Sequence, residues 1–307
     1  MTDEPRRLTV IQPGTGSGLP PVFEKVAIVG LGLIGGSIAL AVRQHWPSAL
    51  VIGLDRKEVL ERAMVLHAID VAADDPVVIS EADLVILEAP VEQNIDRLAD
   101  LDRYVTTSAV VTDVGSTKRT TVEAARLLPS RFTFVGGHPL AGAPHGGIAH
   151  ARPDLFVGRP WLFTPEGDGQ AAVIERLCSF VRTLGADPHI FDPVEHDRTL
   201  AFINHLPQLA ATALMNIVGS ATGAAGLSLT GRGFLDATRL AASPADIWCD
   251  VCSSNAGPIA SALDELIGEL QALRQGLESG TEIERIFESA GEWRDRLVAL
   301  KSTTRKL

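Results

Sequence analysis

Residues 26–42, VAIVGLGLIGGSIALAV, carry no charge and place Gly30, Gly32 and Gly35 in G-x-G-x-x-G spacing. The run is shorter than the ~20 residues of a membrane-spanning helix and is interrupted by four glycines. A Gly/Pro tract, PGTGSGLPP, separates it from Arg6 and Arg7, so it does not read as a signal segment either. It reads as a buried strand that turns sharply into a helix. A strand apolar on both faces needs parallel neighbours beside it and helices above and below.

The chain supplies both. LVIGLD (50–55), ADLVILEAP (82–90), AVVTDVG (109–115) and FTFVGG (132–137) are short apolar runs separated by helical patterns at 58–67, 92–101 and 117–128. RPWLFTP (159–165) and HIFDP (189–193) predict two later strands around a helix at 171–184. The expected fold class is α/β: a doubly wound, Rossmann-type dinucleotide-binding domain over residues 23–192, followed by an all-helical domain over residues 193–307. Residues 1–22, polar and rich in Gly and Pro, predict a flexible tail.

The change of character falls at DPVE, 192–195, where Asp, Pro and Glu sit at cap, first and third helical positions. SPADIW, 243–248, predicts a second start of the same kind. Ile259, Leu263, Leu266, Leu270, Leu273 and Leu277 then recur at steps of four and three, an apolar seam for packing against other helices or a second copy. The expected partners are a small molecule and a homodimer mate contacted through the helical domain.

Charge narrows the partners further. With 27 basic against 38 acidic residues the net charge is -11, which speaks against nucleic acid or an anionic membrane. Three cysteines are too few for a disulfide framework, which predicts a cytoplasmic protein. Cys249 and Cys252 have C-x-x-C spacing but no second ligand pair, so no metal site is expected.

A glycine turn opening a helix lets a pyrophosphate approach backbone N–H groups at the helix N-terminus. Gly30, Gly32, Leu33, Ile34 and Gly35 are therefore the expected phosphate contacts. Asp55 ends the second predicted strand 20 residues after Gly35, where a carboxylate accepts from ribose hydroxyls. That carboxylate favours NAD over NADP, while the adjacent Arg56 leaves room for either. Pro90 leaves the third predicted strand on the ligand side of the sheet.

His138 follows the fifth predicted strand at the same edge, within FVGGHPLAGAPHGG (134–147). An imidazole titrating near neutrality suits a general base, and the flanking glycines are expected to clear space for a substrate. The structural alternative is a turn histidine bonded to a carbonyl.

The motifs GLGLIGGS, DVGSTK, GGHPLAG, HLPQ and GRGFLDATRLAASPADIW together resemble the prephenate and arogenate dehydrogenases of tyrosine biosynthesis. The resemblance implies oxidative decarboxylation of a cyclohexadienyl dicarboxylate by NAD, prephenate to 4-hydroxyphenylpyruvate, with arogenate and 4-amino-4-deoxyprephenate as alternative substrates. It implies His138 as catalytic base, Ser116 as its or the substrate's hydrogen-bond partner, His205 and Trp248 as pocket walls, and Arg239 as carboxylate anchor. A guanidinium suits that task because it matches a carboxylate two-pronged. Lys118 is expected in solvent, and Ser116 as a cap for the helix starting at Thr117.

Two departures bear on substrate choice: Ala143 and Pro144 after AG where many prephenate-using relatives carry Thr-Glu, and Gln208 in HLPQ where HLPH is usual. A β-hydroxyacid dehydrogenase is the competing enzyme class, but no lysine lies between Asp192 and Lys301 to serve it. A non-catalytic NAD-binding protein is the third reading.

Overall fold

The computed structural model of the chain describes residues 20–143 and 145–304, so most of the expected tail, and Pro144, lie outside the described residues. Eight strands form one sheet: β1 (Lys25–Val29), β2 (Leu50–Leu54), β3 (Val71–Ala73), β4 (Leu84–Leu87), β5 (Ala109–Asp113), β6 (Phe132–Pro139), β7 (Pro160–Thr164) and β8 (Asp187–Ile190). Their order is β3-β2-β1-β4-β5-β6-β7-β8. The first six are parallel, whereas β7 runs antiparallel to β6, with His138 opposite Leu162. A parallel neighbour needs a crossover helix. Among the described residues the link between β6 and β7 has only a short 3-10 turn, Ile148–His150, so β7 returns directly. Strand β3, three residues at the sheet's edge, is too short to leave a readable pattern.

Alternation along the strands divides the core. Val26 and Ile28 face Ile38 and Val42 of α1 (Leu33–His45) and Phe180 of α5 (Ala171–Thr183). Ala27 and Val29 face the other way, toward Leu98 and Leu101 of α3 (Val91–Tyr104) and Val122 of α4 (Arg119–Ala125). The helix α2 (Lys57–Val65) packs against β3 at the sheet's edge, and the chain turns two residues later at His67, whose φ of 53° is left-handed.

Beyond β8 the described chain is helical: α6 (Pro193–Leu200), α7 (Leu206–Leu227), α8 (Arg232–Thr238), α9 (Ala245–Ser254), α10 (Ala256–Gly276) and α11 (Thr281–Thr304). Asp192 caps α6 as expected, accepting from Val194 and Glu195 N–H. The expected box at SPADIW does not form. The hydroxyl of Ser243 instead donates to the Leu240 carbonyl at 2.8 Å, with Gln208 Oε1 3.2 Å away. The seam on α10 is buried only at its start: Ile259 is enclosed, while Leu270 and Leu277 are 54% and 71% exposed. The run Pro193–Leu227 is long and apolar enough for a membrane span, and Ile203, Leu214 and Ile217 on it are exposed.

Candidate active site

Strand order reverses between β1 and β4, and in such sheets ligands bind in the crevice beyond the strand ends at that point. Gly30 follows β1 with φ 106° and Glu88 follows β4 beside it, its N–H bonded to the Val29 carbonyl at 2.8 Å. That adjacency sends the Glu88 side chain into the glycine turn. Its carboxylate accepts from Gly32 N–H at 2.6 Å and Ile34 N–H at 3.0 Å. The turn thus holds an anion through the groups expected to contact a pyrophosphate. A Cβ on Gly30, whose φ is positive, would lie 1.8 Å from the Glu88 backbone carbonyl, so glycine is required there, whereas one on Gly32 would meet only the movable Glu88 carboxylate, at 2.8 Å. Burial raises the Glu88 carboxyl above its ordinary range despite these bonds.

Asp55 follows β2 where expected, and its carboxylate accepts from Leu31 N–H at 2.7 Å and Arg56 N–H at 2.6 Å. It borders a cavity of about 650 Å³ that also reaches exposed Arg56, Pro90 and Arg97. A second cavity, about 360 Å³, lies between the sheet edge and α9, lined by Gly30, Pro90, Ser116, Ile247 and Asp250 among others. The cradle, the β2 carboxylate and the two adjoining cavities fit a dinucleotide.

His138 is on β6 itself, 7% exposed. Its Nδ1 lies 3.0 Å from Nε2 of His196, and Nδ1 of His196 lies 2.8 Å from the Asp197 carboxylate. Among the described residues, Nε2 of His138 makes no hydrogen bond. Burial holds the His138 pKa well below the ordinary histidine value, with His196 and the Lys118 ammonium adding to the effect. The ring is therefore unprotonated at neutral pH. The carbonyl-bonded turn histidine is not what the structure contains.

Two expectations around this histidine are corrected. Lys118 is fully buried, paired with Asp113 and donating to the Gly137 carbonyl at 2.8 Å. Gly136 and Gly137 make room for the protein's own groups rather than for substrate: a Cβ would meet Thr164 Oγ1 at 2.4 Å or the Asp113 carbonyl at 2.6 Å. Gly142, three residues past the strand, does face open space among the described residues.

Ser116 is half-buried on the smaller cavity, but its hydroxyl bonds neither His138 nor a helix end. The helix α4 starts at Arg119, and Asp197 of α6 caps it instead, accepting from Lys118 N–H at 2.7 Å and Arg119 N–H at 2.9 Å.

His205 ends a π-helical turn, Ala201–His205, that joins α6 to α7, a distortion common at functional sites. It is fully buried, and its Nδ1 lies 3.3 Å from Asn255 Nδ2. Among the described residues its Nε2 is buried without a hydrogen-bond partner. Burial lowers its pKa to about 4. Trp248 stands edge-on to this ring, centroids 6.0 Å apart. Arg239 follows α8, exposed and, among the described residues, without an ion pair, and lines neither cavity. His145 is exposed beside His150. Sequence reasoning missed Glu88, Lys118, His196, Asp197 and Asn255 as parts of the site.

An imidazole kept unprotonated at the ligand-binding edge of a doubly wound sheet is suited to accept a hydroxyl proton while hydride leaves the same carbon. The class is that of dinucleotide-dependent oxidoreductases with a helical second domain. Residues 38–189 match the family model described as prephenate dehydrogenase, nucleotide-binding domain, and residues 192–291 that described as prephenate dehydrogenase, dimerization domain. The prephenate dehydrogenase of Bacillus subtilis strain 168 is 34% identical over 282 residues, 89% of this chain and 76% of that protein. The cyclohexadienyl dehydrogenase of Zymomonas mobilis is 31% identical over 263 residues, 84% and 90% of the two chains. The crystal structure of prephenate dehydrogenase from A. aeolicus with hydroxyphenyl propionate and NAD+ superposes with a TM-score of 0.83 at 26% identity, covering 89% of this chain and 98% of the other. The chain belongs to the prephenate dehydrogenase family of NAD-dependent oxidoreductases.

Proposed function

We propose that the protein catalyses NAD-dependent oxidative decarboxylation of a cyclohexadienyl acid, with prephenate as the leading substrate. The observation that carries the reading is the buried, neutral His138 at the ligand edge of the sheet. NAD, when bound, supplies the hydride acceptor. His138 takes the proton of the ring hydroxyl as the hydride leaves the carbon bearing it, so that carbon becomes a carbonyl. The bond to the ring carboxylate then breaks, CO2 departs, and its electron pair moves through the ring to the carbonyl oxygen, which takes a proton and leaves the ring aromatic.

The remaining residues bind and orient. Gly30, Gly32, Leu33, Ile34 and Gly35 hold the pyrophosphate once Glu88 yields the turn, and Asp55, Arg56 and Pro90 border the adenosine side. Ser116 hydrogen-bonds the substrate hydroxyl. The Nε2 of His205, without a partner among the described residues, supports a polar contact to substrate beside Trp248, and exposed Arg239 receives a carboxylate. Residues 23–192 are the cofactor domain and 193–307 the substrate and dimerisation domain. Exposed apolar residues from α7 to α11 and the match to a dimerization domain favour a second copy, rather than lipid, as their cover. We place the enzyme in the cytoplasm.

Purified protein mixed with NAD and prephenate, arogenate or 4-amino-4-deoxyprephenate is expected to raise the reduced-nicotinamide absorbance, most strongly with prephenate. Silence with all three overturns the reading. Light scattering should give twice the chain mass.

A further inference from the structure

We infer that His196 and Asp197 are positioning residues for His138, fixing its tautomer so that Nε2 carries the lone pair used in the reaction. The inference rests on the reading of His138 as the base. It follows from counting hydrogens. An ionised carboxylate only accepts, so Nδ1 of His196, 2.8 Å from Asp197, must carry a hydrogen. A neutral imidazole has one N–H, which leaves Nε2 of His196 an acceptor. That atom is 3.0 Å from Nδ1 of His138, and two acceptors do not share a hydrogen bond. Nδ1 of His138 therefore holds the hydrogen, and Nε2 is left bare.

The surroundings keep this assignment one-way. Asp197 is anchored as a carboxylate by the N–H groups of Lys118 and Arg119 at the start of α4. Although burial opposes ionisation, bonds from His196 and these two amides hold its pKa below the ordinary value. Burial likewise keeps His196 neutral. The nearby ammonium of Lys118 donates to Asp113 and the Gly137 carbonyl and, among the described residues, makes no bond to His138. Asn255, which donates to the Asp197 carbonyl at 2.8 Å, fixes the helix turn that carries the pair. When Nε2 takes a proton, Nδ1–H still donates to His196, and the new positive charge is supported through it by Asp197. The base sits on β6 and both supporting groups on α6, so it is set only when the two parts of the chain are docked.

The test compares His196→Leu, which removes the acceptor, with His196→Gln, whose amide oxygen can replace it. His196→Leu is expected to lower kcat about 10²-fold while KM and the NAD dissociation constant stay within about twofold, and His196→Gln to recover at least about tenfold of that loss. In 15N-histidine-labelled protein, the His138 signals, assigned by their disappearance in His138→Asn, should show a protonated Nδ1 and bare Nε2. In His196→Leu the pattern should reverse. Full activity in His196→Leu, or a wild-type spectrum with Nε2 protonated, overturns the relay. The spectrum of the native protein decides even where the leucine variant does not fold. Activity surviving in His138→Asn overturns instead the assignment of the base.

Discussion

The carboxylate of Glu88 accepts a hydrogen bond from Gly32 N–H at 2.6 Å, placing a side-chain anion on the helix N-terminus that a pyrophosphate uses. Cofactor binding has to move this group or neutralise it. Glu88→Gln removes the like charge while keeping the shape. We expect NAD to bind about tenfold more tightly to that variant, the scale of one charge pair across a partly screened site. Isothermal titration measures it, and an unchanged dissociation constant would show that the carboxylate leaves the turn without cost.

Lys118 and Asp113 form a fully buried ion pair. Removing one partner leaves the other charged and unpaired, at a cost of about 3–5 kcal/mol. Lys118→Met should therefore lower the urea midpoint substantially, whereas a solvent-facing lysine would move it by less than about 0.5 kcal/mol. The same change removes a positive charge that depresses the His138 pKa, so the acid limb of kcat/KM should move to higher pH.

Acid should weaken the fold before it protonates the site. His138, His196 and His205 all have folded pKa values below the ordinary 6.5, chiefly through burial. Below that pH the unfolded chain binds protons that the folded one refuses, so stability falls as pH falls. For His205 the loss runs from about 6.5 down to about 4, at up to about 1.4 kcal/mol per pH unit. Denaturant midpoints at pH 7.5 and 5 test this, and equal midpoints would contradict the burial of these rings.

His138→Asn should leave NAD affinity nearly intact and reduce kcat by about 10² to 10⁴-fold, the usual worth of a general base. Steady-state rates with saturating cofactor give the comparison.

Arg239→Ala should mainly raise KM for the dicarboxylate, with kcat and NAD binding little changed. A defect confined to NAD would remove Arg239 from the substrate pocket.

The phosphate turn was readable because its signal is local: three glycines, a strand before, a helix after, and Asp55 one strand on. Glu88 was not, because its role depends on β4 lying beside β1, a neighbour relation that no spacing records. Lys118 looked like a first-turn surface residue. Only the approach of β6, where a Cβ on Gly136 would meet the lysine stem at 3.2 Å and the Gly137 carbonyl accepts from the ammonium, makes a closed socket for it. His196 and Asp197 stood in a stretch read for its helix start alone, and their targets lie 58 and 78–79 residues away. The antiparallel turn of β7 likewise had no local mark.

The carboxylate of Asp250 on α9 accepts from Val91 N–H at 2.8 Å at the head of α3, as Asp197 does at the head of α4. Two helices of the sheet region thus borrow their terminal acceptors from the other half of the polypeptide. A chimera pairing this sheet region with a foreign helical half would need acidic residues at both equivalent places, and the halves expressed as separate fragments would each forfeit these contacts.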